Sequence, residues 1–146
     1  MIKIKAIDHV VIRARNPELM VRFYCEVLGC SVEKVSADEI GLFQLRAGTS
    51  LIDIVSIDGT LGRQGGAGPG REGRNLHHFC VRVDPFDEHD IRTFLREKGI
   101  EASPLEIHYG AEGYGPSLYL SDPEDNVIEL KGPADEDDRE VNSPPS

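Results

Sequence analysis

The chain of 146 residues contains no tryptophan, two methionines and three cysteines. Cys25, Cys30 and Cys80 form neither a CxxC pair nor an even-numbered framework, which speaks against a disulfide scaffold or a zinc ribbon. Each reads as a small buried hydrophobe in a reduced setting, and the expected compartment is the cytoplasm. No run approaches the roughly 20 apolar residues of a membrane span. The start "MIKIKAIDHVVIRAR" lacks the apolar core and small-residue cleavage site of a signal peptide. Positive charge is scarce. Lys and Arg number 16 against 26 Asp and Glu, a formal charge of −10. Phosphate binding needs a basic face, so nucleic acid is not the expected partner. Part of the acidity lies in the tail "ADEDDREVNSPPS", which leaves the folded body less charged than the total.

Length and an ordinary 39% hydrophobic content suit one compact domain. "AIDHVVIRA" is β-branched and reads as a strand. In "NPELMVRFYCEVLG", Asn16 can cap a helix, Pro17 fits its first position and Gly29 its stop. Leu19, Met20, Phe23, Tyr24, Val27 and Leu28 fall at helical spacing. Three strands follow: "SVEKV", "IGLFQLR" and "SLIDIVSI". The Gly-rich "DGTLGRQGGAGPGREGRN" reads as a flexible linker, and it lacks the Gly-Lys-Ser/Thr ending of a phosphate-binding loop. The pattern then restarts. "LHHFCVRV" is a strand and "DEHDIRTFLREKG" a helix capped by Asp87. "IEASPLEI", "PSLYLS" and "NVIELK" are strands, the last two joined by "DPED". The order β-α-β-β-β thus occurs twice, and this internal repetition is the main fold signal. The expected architecture is α+β: module one at 4–57, a linker at 58–74, module two at 75–132, and a disordered acidic tail at 133–146. "GAEGYGP", flanked by His108, Tyr109 and Tyr114, reads as a loop that could close as a lid. His89 reads as solvated on an exposed helix face.

Aligning "DHVVIRA" with "HHFCVRV" puts Asp8 on His77, His9 on His78 and Arg13 on Arg82. Aligning "LIDIV" with "VIELK" puts Asp53 on Glu129. Alternate strand residues share a face. His9, Val11 and Arg13 therefore share one face of the first strand, and His78, Cys80 and Arg82 one face of the second. Val10 with Ile12, and Phe79 with Val81, face the helices. By this argument His78 looks into a cavity, while His77 points to the helix side or the strand edge. Two imidazoles and two carboxylates at repeat-related positions make a divalent metal site, suited to nitrogen-accepting ions rather than calcium.

The stretches "IDHVVIRARNPELMVRFYCEVLG", "LHHFCVRV" and "YLSDPEDNVIELKG" resemble the vicinal oxygen chelate superfamily. It includes glyoxalase I, methylmalonyl-CoA epimerase, extradiol dioxygenases, and fosfomycin and bleomycin resistance proteins. The resemblance implies two tandem βαβββ modules in a curved mixed sheet around one metal. It implies His9, Asp53, His78 and Glu129 as ligands to one Ni, Zn, Co, Mn or Fe(II) ion. At the Asp53 position glyoxalase I-like members usually carry Glu and the epimerases Gln. Arg13 lies four residues after His9, like an arginine that holds a substrate carboxylate in glyoxalase I, and Arg82 is its repeat mate. The implied chemistry is a lyase or isomerase reaction on a small oxygenated substrate through a metal-stabilised enediolate. Glu129 is the implied base and Asp53 its partner. A second implied reading is an Fe(II) extradiol dioxygenase using His9, His78 and Glu129, with Tyr119 at the position of that signature's tyrosine. There His108 lies too far along the chain from Tyr119 to match. A third is a metal-free drug-binding protein. Relatives that pair modules across a dimer imply a homodimer, with a small molecule as the other partner.

Overall fold

A computed structural model gives the fold and describes residues 1–135. The acidic tail expected to be disordered lies, from residue 136 onward, outside the described residues. The element order is β1 (His9–Ala14), α1 (Pro17–Glu26), β2 (Ser31–Val35), β3 (Leu42–Ala47), β4 (Ser50–Ser56), β5 (Phe79–Arg82), α2 (Glu88–Glu97), β6 (Glu106–Gly110), β7 (Gly113–Ser121) and β8 (Val127–Lys131). This α+β order is βαβββ twice. As expected of two tandem modules, the strands form mixed sheets, one of four strands per module, β1-β4-β3-β2 and β5-β8-β7-β6. In each, the first and last strands of the module pair in parallel and the other pairs are antiparallel. The chain divides into two compact units: Met1–Asn75 with Asp122–Glu124, and Leu76–Ser121 with Asp125 onward.

In the first unit the residues of β1 alternate between the two faces of the sheet. Ile12 and Ala14 are buried while Val11 is exposed. Ile12 is level with Ile54, and Ile54 with Phe43, so one apolar row crosses the sheet. Met20, Phe23 and Tyr24 of α1 supply the other side of this core. The helix starts where the sequence signals it. Asn16 Oδ1 accepts from Leu19 N at 3.1 Å, and Pro17 opens the helix. Residues Asp122–Glu124 of the "DPED" turn complete this end. Glu124 accepts the backbone N–H groups of Arg15 at 2.7 Å and Asn16 at 2.9 Å. The buried Tyr24 hydroxyl donates to Asp122 Oδ2 at 2.8 Å. The same turn holds Asp125 at φ 65°, a left-handed conformation in which Asp is among the tolerated residues.

The second unit repeats the logic with Leu118, Leu120, Ile128 and Leu130 as its buried residues, and Leu95 of α2 is buried as well. Three expectations change here. The strand expected over 76–83 begins only at Phe79, so both histidines precede it. The strand expected over 100–107 begins at Glu106. Upstream, Ser103 N donates to Tyr119 O at 2.9 Å, Arg92 donates to Ser103 O at 2.8 Å, and Pro104 has no N–H for a ladder. The expected lid "GAEGYGP" is a tight hairpin, with Gly110 paired to Gly113 and Tyr109 to Tyr114.

The Gly-rich segment contains no helix or strand, as expected of a linker, yet it is tied down. Arg13 donates to the carbonyls of Gly62 at 2.8 and 2.9 Å, Gly66 at 2.7 Å and Ala67 at 3.1 Å. Arg15 donates twice to Pro69 O. A Cβ at Gly62 would collide with the Ser56 carbonyl, so glycine is required for this path.

The Tyr24 hydroxyl donates to a carboxylate where both residues are at least 96% buried. Such a bond is worth about 1.5–3 kcal/mol. Tyr24→Phe is expected to lower the urea midpoint by a corresponding amount with an unchanged slope, as followed by circular dichroism.

Candidate active site

Glu129 sits on β8 at the centre of the second sheet and is 5% exposed. A carboxylate there needs donors, and the neighbouring strand supplies them. Ser117 Oγ donates to Oε2 at 2.7 Å and Tyr119 OH to Oε1 at 2.9 Å. His78 Nε2 lies 3.2 Å from Oε1. Burial alone would raise the carboxyl, but bonds from Ser117, Tyr119 and Cys80 and the nearby His78 outweigh it and hold it below the ordinary 4.5. Glu129 is therefore held in its ionised form. Its charge and desolvation push the Tyr119 phenol up to about 12 and the Cys80 thiol to about 12, so Cys80 stays a protonated thiol rather than a nucleophile.

Asp53 holds the equivalent place on β4 and is 1% exposed. It is served differently. Gln44 Nε2 donates weakly to Oδ2 at 3.4 Å, and Oδ1 has no hydrogen-bond partner among the described residues. Burial raises its carboxyl above 3.8, and Gln44 and His9 only partly oppose this. His9 is exposed on β1, with Nδ1 2.6 Å from Asp8 Oδ2, and that bond raises its imidazole above 6.5.

The repeat extends to the residues just before the two histidines. Asp8 meets Nδ1 of His9, and His77 Nδ1 lies 2.8 Å from Nδ1 of His78. In both units the preceding residue occupies Nδ1, and Nε2 of His78 lies toward Glu129. This corrects the expectation that His77 points to the helix side or strand edge. The strand starts after the doublet, so alternation does not separate the rings, whose centroids are 5.1 Å apart.

The other expected site residues divide. Tyr119 is at the centre, edge-on to His78 at 5.5 Å. It is also edge-on to His108 at 5.8 Å, so pairing of β6 with β7 brings together two residues that sequence distance keeps apart. Arg82 lines a cavity of about 290 Å³ with His78, Cys80, Glu129, Lys131 and the hairpin residues Tyr109–Glu112. Arg13 has its guanidinium spent on loop carbonyls. Sequence reasoning missed Ser117 and Lys131. Both share the Glu129 face, level with one another across β7 and β8, and strand parity could have found them. It also took Cys80 as buried. Cys30 is, but Cys80 is exposed on the cavity face.

Among the described residues no three His, Cys, Asp or Glu side chains are clustered to hold a metal ion. The donor chemistry nonetheless fits one. Each unit carries an imidazole with Nδ1 occupied and a buried carboxylate, and the unpartnered Asp53 Oδ1 is the kind of atom a cation satisfies.

Comparisons with known proteins agree with this fold. Among solved structures, the glyoxalase family protein from Enterococcus faecalis is 27% identical with a TM-score of 0.65, covering 87% of this chain and 97% of that one. A genomically encoded fosfomycin resistance protein from Listeria monocytogenes is 14% identical with a TM-score of 0.66, covering 94% and 99%. Lactoylglutathione lyase from Agrobacterium tumefaciens is 18% identical with a TM-score of 0.60, covering 87% and 92%. No curated protein sequence matches the chain. Residues 6–130 match the model of the glyoxalase, bleomycin resistance protein and dioxygenase superfamily, and the chain belongs to that superfamily.

Proposed function

We propose that the protein is a divalent-metal-dependent lyase or isomerase of the glyoxalase I-like type, acting in the cytoplasm as a homodimer on a small oxygenated substrate. The observation that carries this reading is Glu129: buried, ionised, and held beside the imidazole of His78. His78 and Glu129 would hold the ion, and His9 and Asp53 are the corresponding candidate donors of the first unit. Bound there, it would act as a Lewis acid on substrate oxygens and stabilise enediolate charge.

The chain's own residues do the rest. Ser117 on Oε2 and Tyr119 on Oε1 fix the carboxylate of Glu129 as the group that would take the proton from the substrate carbon. The protonated Tyr119 phenol can donate to charge developing beside it. Arg82 faces the cavity as the residue to hold a substrate anion. Asp53, with its raised carboxyl, is suited to hold a proton or to lose it on cation binding.

The contact of His108 with Tyr119 favours a second reading, an Fe(II) ring-cleaving dioxygenase built on His9, His78 and Glu129. Oxygen uptake with catechols by the iron-loaded protein separates the two. The first reading expects none.

Elemental analysis of the purified protein is expected to find about one equivalent of Ni, Zn, Co or Mn per site, lost in His78→Ala. His77→Ala removes only the Nδ1 partner and is expected to weaken metal affinity about tenfold. Equal and complete loss in both variants would contradict the assignment. Glu129→Gln is expected to lower turnover about 10²–10⁴-fold while the fold persists, as checked by steady-state kinetics and circular dichroism.

A proton on His9 competes with the ion, and Asp8 raises its imidazole above 6.5. Metal affinity is therefore expected to rise with pH through a midpoint above 6.5, and Asp8→Asn is expected to move that midpoint down. Isothermal titration calorimetry across pH 5.5–8.5 measures it. A midpoint that does not move would contradict the role given to Asp8.

A further inference from the structure

Lys131 ends β8 and is 5% exposed, an unusual place for an ammonium. Its one hydrogen bond among the described residues runs to the His108 carbonyl at 2.7 Å. Among the described residues no carboxylate forms an ion pair with it. The two carboxylates of its cavity are engaged elsewhere. Glu129 is held by Ser117, Tyr119 and His78. Glu112, at the hairpin tip, lies on Arg82 with Oε1 3.1 Å from Nε and Oε2 3.4 Å from Nη2.

The hairpin is shaped around this lysine. A Cβ at Gly110 would lie 2.6 Å from Lys131 Cε, and one at Gly115 would lie 3.0 Å from Nζ. The two glycines leave room for the side chain along the hairpin and at the cavity that it lines. Parallel pairing places Arg82 level with Lys131, so both cations face the same cavity of about 290 Å³. A buried charge without a counter-ion is costly, and an anion supplied from outside offsets that cost.

We propose that Lys131 and Arg82 form a subsite for a carboxylate, and that Glu112 occupies the guanidinium as an internal stand-in which the ligand's carboxylate displaces. Glu112 already shows the two-oxygen approach that a guanidinium makes to a carboxylate. The subsite lies in the cavity that holds His78 and Glu129. If the proposed activity holds, which this extension rests on, the substrate is a small oxygenated acid whose carboxylate sits close to the reacting carbon. The exposed Glu112–Arg82 pair costs a competing ligand little, because such surface pairs are worth about 0–1 kcal/mol.

The test titrates the full-length protein, as purified and after chelation, with glycolate and with neutral glycolamide. Calorimetry is expected to show saturable glycolate binding and at least tenfold weaker glycolamide binding, with or without metal. Glu112→Gln is expected to tighten glycolate about threefold, the size of a lost surface pair. Lys131→Met is expected to weaken it more than tenfold. Should that variant fail to fold, Arg82→Gln, exposed on the neighbouring strand β5, carries the arm with a severalfold loss. Equal affinity for the acid and the amide, or unchanged affinity in Glu112→Gln, would overturn the subsite. Charge-dependent binding without metal or turnover would leave the subsite standing and reject the lyase or isomerase reading. Turnover with no preference for anions would do the reverse.

Discussion

A carboxylate buried in the middle of a sheet is the constraint on which this protein's chemistry depends. The duplicated module places one in each unit, Asp53 and Glu129, both at the centre of the face turned away from the helix. Desolvation pushes both toward the neutral form. What differs is the supply of donors. The strand beside Glu129 offers Ser117 and Tyr119, and their bonds keep the charge. The strand beside Asp53 offers one long bond from Gln44 and leaves an oxygen bare. The repeat supplies the pair of positions, and departures from the repeat supply the division of labour.

The same economy of position governs the histidines. In both units the candidate nitrogen is Nε2, because the residue before it takes Nδ1. Asp8 and His77 are unlike residues, yet they occupy the same place and meet the same atom. An acid raises the basicity of its imidazole, whereas a second imidazole mainly fixes orientation. The two histidines are thus not equivalent donors, even though the sequence alignment makes them look so.

Much of the fold was legible in the chain. Asn16, Pro17 and the apolar spacing located α1, and period-two alternation located the core face of β1. The repeat put Asp53 and Glu129 on comparable strands, with His9 opening β1 and His78 one residue before β5. Where the reading failed, long-range contacts had decided. The doublet at 77–78 has strand composition, but pairing to β8 starts at Phe79, so a rule for strands misplaced His77. Arg13 matched the spacing of a ligand-binding arginine, while four contacts to carbonyls some fifty residues away claim its donors. "GAEGYGP" has the glycine content of a mobile loop, yet those glycines admit the Lys131 side chain to a tight hairpin. The "DPED" turn read as a link between two strands, and nothing local shows that its acids cap α1 and bind Tyr24.

The opposed states of the two carboxylates are the centre of this account, and site-resolved carbon NMR of the side-chain carboxyls during a pH titration measures them directly. Glu129 is predicted to titrate below 4.5 and Asp53 above 3.8, each displaced from its ordinary value in the opposite direction. A Glu129 that protonates above 4.5, or an Asp53 that stays ionised below 3.8, would contradict the roles assigned to them.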